Sequence, residues 1–479
     1  MPDFSTHSNL PVQFYLAAGL ACARRIFQRL DVHWDGPELG MNRLTMTDRE
    51  TEGLNILTSE AQAMGMEAFE LLSGSRMFIY QGEDASLAPD IVGSHIDSVR
   101  KGGRYDGPAG IVAGMAAVAT VHDRFLKTGV RPKRTIIVLA DRGEESVEYN
   151  QFGIASGMNA AKFGPEILNA VSTTNGKTWE ENARKQGLDV DALREKITAR
   201  EALIPFDCVA RQWELHIEQG SKLANAGVSI GVVDDFRGNV RYAGRVHFKG
   251  RADHTGATEM PDRLDAGDAL IGFHAHVKHE ANVLLRAGHD LVYTFHFQTD
   301  DDRTSISENA YCAVEARSKS PETLKLFEAI VDAAIQKQQE AGYGVNPNYD
   351  KMKRTAPISL DTQCQQMIRD TANELGISSM NMTSGAGHDL MNYAPKVRAG
   401  FISFAHGNGG LSHGPGEIAG MTPEQDPYRE GCYPLAISVV TNLVTRDERQ
   451  MTGKPQDVSR GDFRAELIKR GAKPLTLAA

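Results

Sequence analysis

"IVGSHIDSVRKGGRYDGPAGIVAGMAAVATVHDRFLKTG", residues 91–129, passes from a short apolar run through a glycine-rich turn into a long apolar stretch. The "IVGS" run at 91–94 and "MFIYQ" at 77–81 are bounded by polar turns, the pattern of buried strands. Residues 110–129 read as a helix, and "RTIIVLADRGEES" (134–146) as a further strand that runs into an acidic turn. Strand, turn, helix and strand in that order predict an α/β sheet, whose sites lie beyond the carboxyl ends of its strands. His95 and the Glu144–Glu145 pair both fall at such ends. The segment from Gly93 to Gly107 is therefore either an acidic turn between two core elements or half of a metal site.

Outward from this unit, residues 11–30 carry apolar side chains at helical spacing. "TMTDRETEGLNILTSEAQAMG" (45–65) opens a second helix with Thr or Asp as its cap. The texture changes after "SIGVVDDFRGN" (229–239), where "VRYAGRVHFKG" alternates like an antiparallel strand with one wet face. A helix at about 262–285, strands at 291–298 and 309–318, a helix at 321–342 and a last strand near 346–354 complete an α+β insert. The α/β pattern then returns with a helix at 361–375, a strand at 397–405 and a long helix near 427–446. The expected organisation is a discontinuous α/β domain, 1–234 and 357–479, with an inserted domain at 235–356 joined by two adjacent crossings, as a hinge would be. The polar tail from 447 shows no clear period.

A chain of 479 residues exceeds one ordinary core, in keeping with two domains. A net charge of -10 argues against nucleic acid or an anionic membrane as a partner, although a local arginine can still hold an anionic small molecule. Five scattered cysteines without a Cys-x-x-Cys pair read as reduced thiols. "MPDFSTHSNL" has neither a basic nor an apolar leader region, and "LAAGLACA" (16–23) is too short to span a bilayer. These features predict a cytoplasmic protein.

Six residues at element ends carry the chemistry: His95, Asp106, Glu144, Glu145, His216 and His413. Imidazole and carboxylate without nearby thiolate suit zinc, manganese, cobalt or nickel. Two adjacent ions need a bridging carboxylate, and Asp106 lies in a glycine-rich turn that admits close approach. Asp97, two residues after His95, is placed to orient that imidazole. Glu144 and Glu145 should diverge, one ligating and the other accepting a proton from activated water. Alone, a Glu-Glu pair is usually a solvated turn, "WELHIEQG" (213–220) a half-exposed strand and "GGLSHGPGE" (409–417) a plain loop. Their joint occurrence at strand ends favours a metal site. The histidines of "HAHVKH" (274–279) do not converge on one helical face, and neither a dinucleotide fingerprint nor a Gly-x-Ser-x-Gly elbow is present.

The motifs "GSHIDSVRKGGRYDGPAG", "DRGEES", "ELHIEQG", "GRADHTGATEMPDRLDA", "GAGHD" and "LSHGPGE" resemble, in order and spacing, those of the N-carbamoyl-L-amino-acid amidohydrolases. That group includes β-ureidopropionases and allantoate amidohydrolases, within a clan of dinuclear-metal aminopeptidases and deacylases, and the resemblance spans about residues 10–445. It implies a mixed-sheet, aminopeptidase-like catalytic domain with an inserted ferredoxin-like lid that pairs in a homodimer. It further implies two divalent metal ions, one on His95 and His216, the other on Glu145 and His413, with Asp106 bridging and Glu144 as general base. Gln219 and His388 become substrate-site residues, His254 the stabiliser of the oxyanion and Arg317 the holder of the substrate carboxylate. The substrate class is a small ureido or amide carboxylate.

One departure concerns the substrate. Thr304 falls where the family has Asn, and Ser307–Glu308 replace a Pro-Gly. A hydroxyl has a shorter reach and one donor fewer than an amide. The expected activity is hydrolysis of a linear C–N bond in an N-carbamoyl amino acid or related ureido acid. The alternatives are a deacylase or dipeptidase of the same clan, and a metal-binding protein without turnover. Arg100–Lys101 either adds positive potential at the mouth or is a solvated turn.

Overall fold

The computed structural model describes residues 16–300, 302, 304–446 and 461–476. The start of the helix expected from residue 11, the leader region read at 1–10 and the first part of the tail, 447–460, lie outside the described residues. In chain order the strands are β1 (Glu67–Glu70), β2 (Arg76–Tyr80), β3 (Asp90–His95), β4 (Ile136–Asp141), β5 (Arg211–Ile217) and β6 (Ile230–Phe236). Then come β7 (Gly238–Arg241), β8 (Val246–Lys249), β9 (Val292–Thr299), β10 (Asn309–Ser318), β11 (Gly344–Asn346), β12 (Lys353–Thr355) and β13 (Ile358–Ser359). The last are β14 (Ser379–Ser384), β15 (Ala399–Phe404) and β16 (Lys473–Leu475).

Two compact units divide these elements. The larger comprises residues up to Asp234, Leu360–Met382 and Gly387 onward; the smaller comprises Asp235–Ser359 and Thr383–Ala386. The larger unit is built on a mixed sheet ordered β6-β15-β5-β3-β4-β2-β1-β16, with β14 also on β6. Its centre, β15-β5-β3-β4, is parallel, and antiparallel strands flank it. A parallel centre is covered on both faces, so its strands need no polar alternation. Every residue of β3, β4, β5 and β15 is buried; of the "WELHIEQG" stretch, which alone reads as a half-exposed strand, Trp213 to Ile217 are buried and Glu218 to Gly220 half-buried.

The helix after the glycine-rich turn, Pro108–Thr128, starts on a Pro and stops at Gly129 in the left-handed region (φ 73°). Pro108 to Val121 are buried without interruption. Small residues set its distance from the sheet: a Cβ on Gly110 would stand 2.3 Å from the Leu215 carbonyl oxygen, and one on Gly19 of the helix Leu16–Leu30 would stand 2.6 Å from the Ala116 oxygen. This helix is long and apolar enough to cross a membrane, but 72% of its most apolar window is buried inside the fold, which marks a core helix.

Residues 154–198, left unassigned by sequence pattern, form the helices Ile154–Asn159, Trp179–Lys185 and Val190–Thr198. They enclose a separate core around Trp179, Met158, Leu168 and Leu193. The tail without a clear period contains a helix, Phe463–Lys469, and β16, which pairs with β1.

In the smaller unit, β10 is central, with β9 on one side and β8 and β7 on the other; β11 lies outside β8 and β12 outside β7. The helices Ala266–Arg286 and Pro321–Glu340 share its core through Phe273, Val277, Phe327 and Val331. This is a ferredoxin-like βαββαβ unit in which the first and last strands are each broken. The single strand expected at 240–250 is therefore two. After the Tyr242 N–H has bonded the Val314 carbonyl of β10 at 2.8 Å, Ala243–Arg245 turns out of the ladder beside Asn348, whose side-chain amide donates to the Gly244 and Arg245 carbonyls at 3.3 and 2.7 Å. His274 of the "HAHVKH" stretch packs edge-on to Phe295 and Phe297.

Candidate metal centre

Because β15, β5, β3 and β4 run parallel, their carboxyl ends share one edge of the sheet. His95 closes β3, Glu144 and Glu145 follow β4, His216 is the penultimate residue of β5, and His413 lies on the loop after β15. The turn that opens the long helix adds Asp106, and Gly107 must be glycine there. Its φ is +84°, and a Cβ would lie 2.4 Å from the His95 ring.

Asp106 divides its two oxygens between two clusters. Oδ1 lies 3.6 Å from His95 Nε2 and 3.2 Å from His216 Nε2, whereas Oδ2 lies 3.5 Å from His413 Nε2. His413 Nε2 is in turn 3.4 Å from Glu145 Oε1. Potential ligand atoms of His95, Asp106 and His216 lie within 4.8 Å of one another, as do those of Asp106, Glu145 and His413. The same holds for His95, Glu144 and Glu145, so the two glutamates do not diverge as their adjacency suggested.

The imidazoles are oriented from behind. Nδ1 of His216 faces the Ile217 carbonyl at 3.0 Å, and Nδ1 of His95 faces the Asp97 carbonyl at 3.1 Å and its Oδ1 at 3.4 Å. A proton on each Nδ1 would leave each Nε2 free to ligate a metal beside Asp106; here the His216 Nε2 also accepts the Gly107 N–H at 3.2 Å. Asp97 also accepts the backbone N–H groups of Glu144 and Glu145 at 3.1 and 3.0 Å, and the Thr45 hydroxyl at 3.0 Å. One carboxylate thus aligns a histidine and both glutamates.

The electrostatics favour a bound cation. Burial, together with the Glu145 and Asp389 carboxylates, pushes Glu144 well above the usual carboxylate range despite His95. Burial and then Asp106 do the same to Glu145. Burial opposes the charge on Asp106, but His216 and His95 hold it well below the ordinary value. Burial would lower His95, yet Asp106, Asp97 and Glu144 carry it well above. Imidazole and carboxylate donors gathered without thiolate fit a borderline divalent ion.

Gln219 and His388 stand at the same edge. Gln219, with φ +55°, donates from Nε2 to Asp106 Oδ2 at 2.8 Å, and the Ser412 hydroxyl, which sequence pattern did not single out, donates to the same oxygen. His413 also has a left-handed backbone, φ +56°, and such conformations outside glycine concentrate at functional sites. The ring of His388 stands edge-on to His216 at 4.6 Å, and burial plus His216 drive it well below its ordinary pKa, so it is neutral. Arg100 is bound to Glu148 at 2.9 Å and to Thr173 and Thr174, which makes it a loop fastener.

The model of Peptidase family M20/M25/M40 matches residues 91–419. The chain belongs to that family. Its members are metal-dependent hydrolases, and the matched span runs from β3 to the residues just beyond His413, so it contains every donor described above. Relatives of this M20-family chain include an N-carbamoyl-L-amino-acid amidohydrolase of Rhizobium meliloti, 29% identical over 378 residues, covering 79% of this chain and 86% of the relative. An allantoate amidohydrolase of Bacillus subtilis is 26% identical over 400 residues, covering 79% and 88%. The crystal structure of a hydantoinase/carbamoylase-family amidase from Burkholderia multivorans superposes with a TM-score of 0.73 at 24% identity, over 88% of this chain and 97% of the other, and shows the shared fold.

The other expected residues of this M20-family hydrolase lie in the smaller unit. Arg317 Nε donates to Glu315 Oε1 at 2.7 Å and Nη1 to the Gly385 carbonyl at 2.6 Å, while Glu315 Oε2 accepts from Arg241 at 2.7 Å. His254 forms an isolated bridge with Ser305, and the neighbouring Thr255 N–H donates to the Thr304 carbonyl at 3.2 Å. The Thr304 hydroxyl is occupied locally, donating to Asp302 Oδ1 at 2.8 Å.

Proposed function

We propose that this protein hydrolyses a linear C–N bond of an N-carbamoyl amino acid or related ureido acid. The observation that carries the reading is the division of Asp106 between a His95/His216 pair and a Glu145/His413 pair, with Glu144 beside them. Two divalent ions held there, zinc, manganese, cobalt or nickel, supply Lewis acidity toward the carbonyl and toward water.

Glu144 takes a proton from the attacking water and returns it to the leaving nitrogen, a role suited to a carboxylate with raised proton affinity. Its backbone N–H on Asp97 fixes where that carboxylate can reach. Gln219 and the neutral His388 donate to the substrate, His254 stabilises the oxyanion, and Arg317 holds the substrate carboxylate with the guanidinium edge that Glu315 and Gly385 leave open. The names of the relatives support the ureido class. The reading includes a cytoplasmic setting, supported by five buried free cysteines, and a homodimer through the smaller unit, supported by exposed apolar side chains at its β9 edge.

Purified protein reloaded with each metal and offered ureido acids, N-acyl amino acids and dipeptides provides the test. Ammonia release from ureido acids is the expected result. Cleavage of acyl amino acids or dipeptides without ammonia would select the deacylase reading, which the local engagement of Thr304 favours as the second choice. Metal and ligand binding without turnover would select a binder, a reading that leaves Glu144 without a purpose.

A further inference from the structure

Glu417 ends the "LSHGPGE" stretch, four residues after His413, and stands apart from the clustered metal donors. It is 3% exposed. Its Oε1 accepts two backbone N–H groups of another loop, Tyr105 at 2.6 Å and Asp106 at 3.0 Å. That loop is shaped to the carboxylate: a Cβ on Gly103 would fall 2.2 Å from Glu417 Cδ and 2.4 Å from both oxygens. The Tyr105 ring is held in turn against Phe27, at 5.1 Å between centroids, and its hydroxyl lies 3.5 Å from that of Tyr428. Asp106 is therefore gripped by its own N–H and that of its neighbour, one peptide from the carbon that carries its carboxylate.

We propose that Glu417 is the positioning residue of the metal centre, fixing the backbone of Asp106 so that its two oxygens serve the two donor clusters at once. The inference rests on the metal-centre reading above and adds a cause for its geometry. Glu417 Oε1 ties the backbone of the loop that carries Asp106 to the loop that carries His413, while Ser412 and Gln219 hold the Asp106 side chain itself through Oδ2. Replacing that acceptor leaves two buried N–H groups unpaired and lets the Asp106 backbone shift, so that Gln219 and Ser412, which hold only Oδ2, draw the carboxylate toward one cluster.

The test uses the full chain, stripped of metal and then titrated with Co²⁺, whose visible absorption reports coordination. Amide exchange at Tyr105 and Asp106 is followed in the same metal-free samples. For Glu417→Leu we expect exchange at both amides to rise about tenfold or more, and Co²⁺ binding to weaken by about 10- to 100-fold. Glu417→Gln keeps an acceptor oxygen and should restore both to near the wild-type values. Gly103→Ala, which drives a methyl into the carboxylate without removing it, should shift both in the direction of the Leu variant, and it serves if that variant fails to fold. A Leu variant that loses thermal stability but titrates Co²⁺ like the wild type would overturn the proposal, as would a Gln variant as impaired as Leu. Wild-type protein that binds no Co²⁺ would instead overturn the metal-centre reading and this inference with it. His95→Ala should weaken Co²⁺ binding with exchange at Tyr105 and Asp106 unchanged; exchange raised as in the Leu variant would overturn the proposal, because the grip would then depend on the ligand set and not on Glu417.

Discussion

Glu144 and His406 are both buried near the same strand edge, and burial disfavours the charged form of each, raising the carboxyl and lowering the imidazole. For Glu144, removing the carboxylate while keeping its shape should leave the ligands intact. Glu144→Gln is expected to retain metal on elemental analysis while turnover falls by about 10²- to 10⁴-fold, the range typical of a lost general base. A metal-loaded variant with near-wild-type turnover would show that another group moves the proton. His406 is fully buried, and burial, with a further push from the imidazole of His216, lowers its pKa to about 4 against Asp106. The folded state thus holds it neutral, while the unfolded chain takes up a proton below about pH 6.5. Stability is therefore lost as pH falls from about 6.5 toward 4, by up to roughly 3 kcal/mol. Urea midpoints against pH should fall less steeply for His406→Leu than for the wild type, and parallel curves would refute the assignment. The clustered donors were legible because each sits in a short motif, at a strand end or in the glycine-rich loop that follows one. Glu417 and Ser412 were not, since a sequence shows the type of an acceptor or donor but not which atom of another loop it meets.

Among the elements, the parallel strands β3, β4 and β15 and the helix Pro108–Thr128 could be read from apolar runs and turn residues alone, whereas β5 hides behind Arg211, Gln212, Glu214 and His216. The short helices between Ile154 and Thr198 could not, because six to nine residues are too few for a helical period to stand out. The broken strand at 240–250 kept its alternation on both sides of the break, so periodicity joined what Ala243–Arg245 separates. Close packing of the long helix gives a test that inverts ordinary propensity. Gly→Ala inside a helix normally stabilises by about 1 kcal/mol. At Gly110 the added methyl would meet the Leu215 carbonyl and the Ser94 side chain. Gly110→Ala should instead destabilise by about 1–3 kcal/mol, as overpacking does, measured by urea denaturation. A more stable variant would mean that helix and sheet can separate freely.

At the scale of the molecule, the proposed dimer makes a prediction of its own. β9 is an edge strand with Phe297 and Val292 more than half exposed, and Ile271 on the helix Ala266–Arg286 is more exposed still. An unpaired apolar edge invites a second strand. Light scattering should give a dimer for the wild type and a monomer for Phe297→Arg combined with Ile271→Arg; a wild-type monomer at all concentrations would remove the dimer.

The far edge of the larger sheet carries a consequence in time. β1 is covered by β16, and Arg464 beside that strand pairs with Glu67 across 397 residues of chain. At about 5–20 residues per second, synthesis leaves β1 without its neighbour for roughly 20–80 seconds on the ribosome. The nascent chain thus carries an open strand through most of its translation, and holding that strand apart from other chains is a task for the cell before it is one for the finished fold.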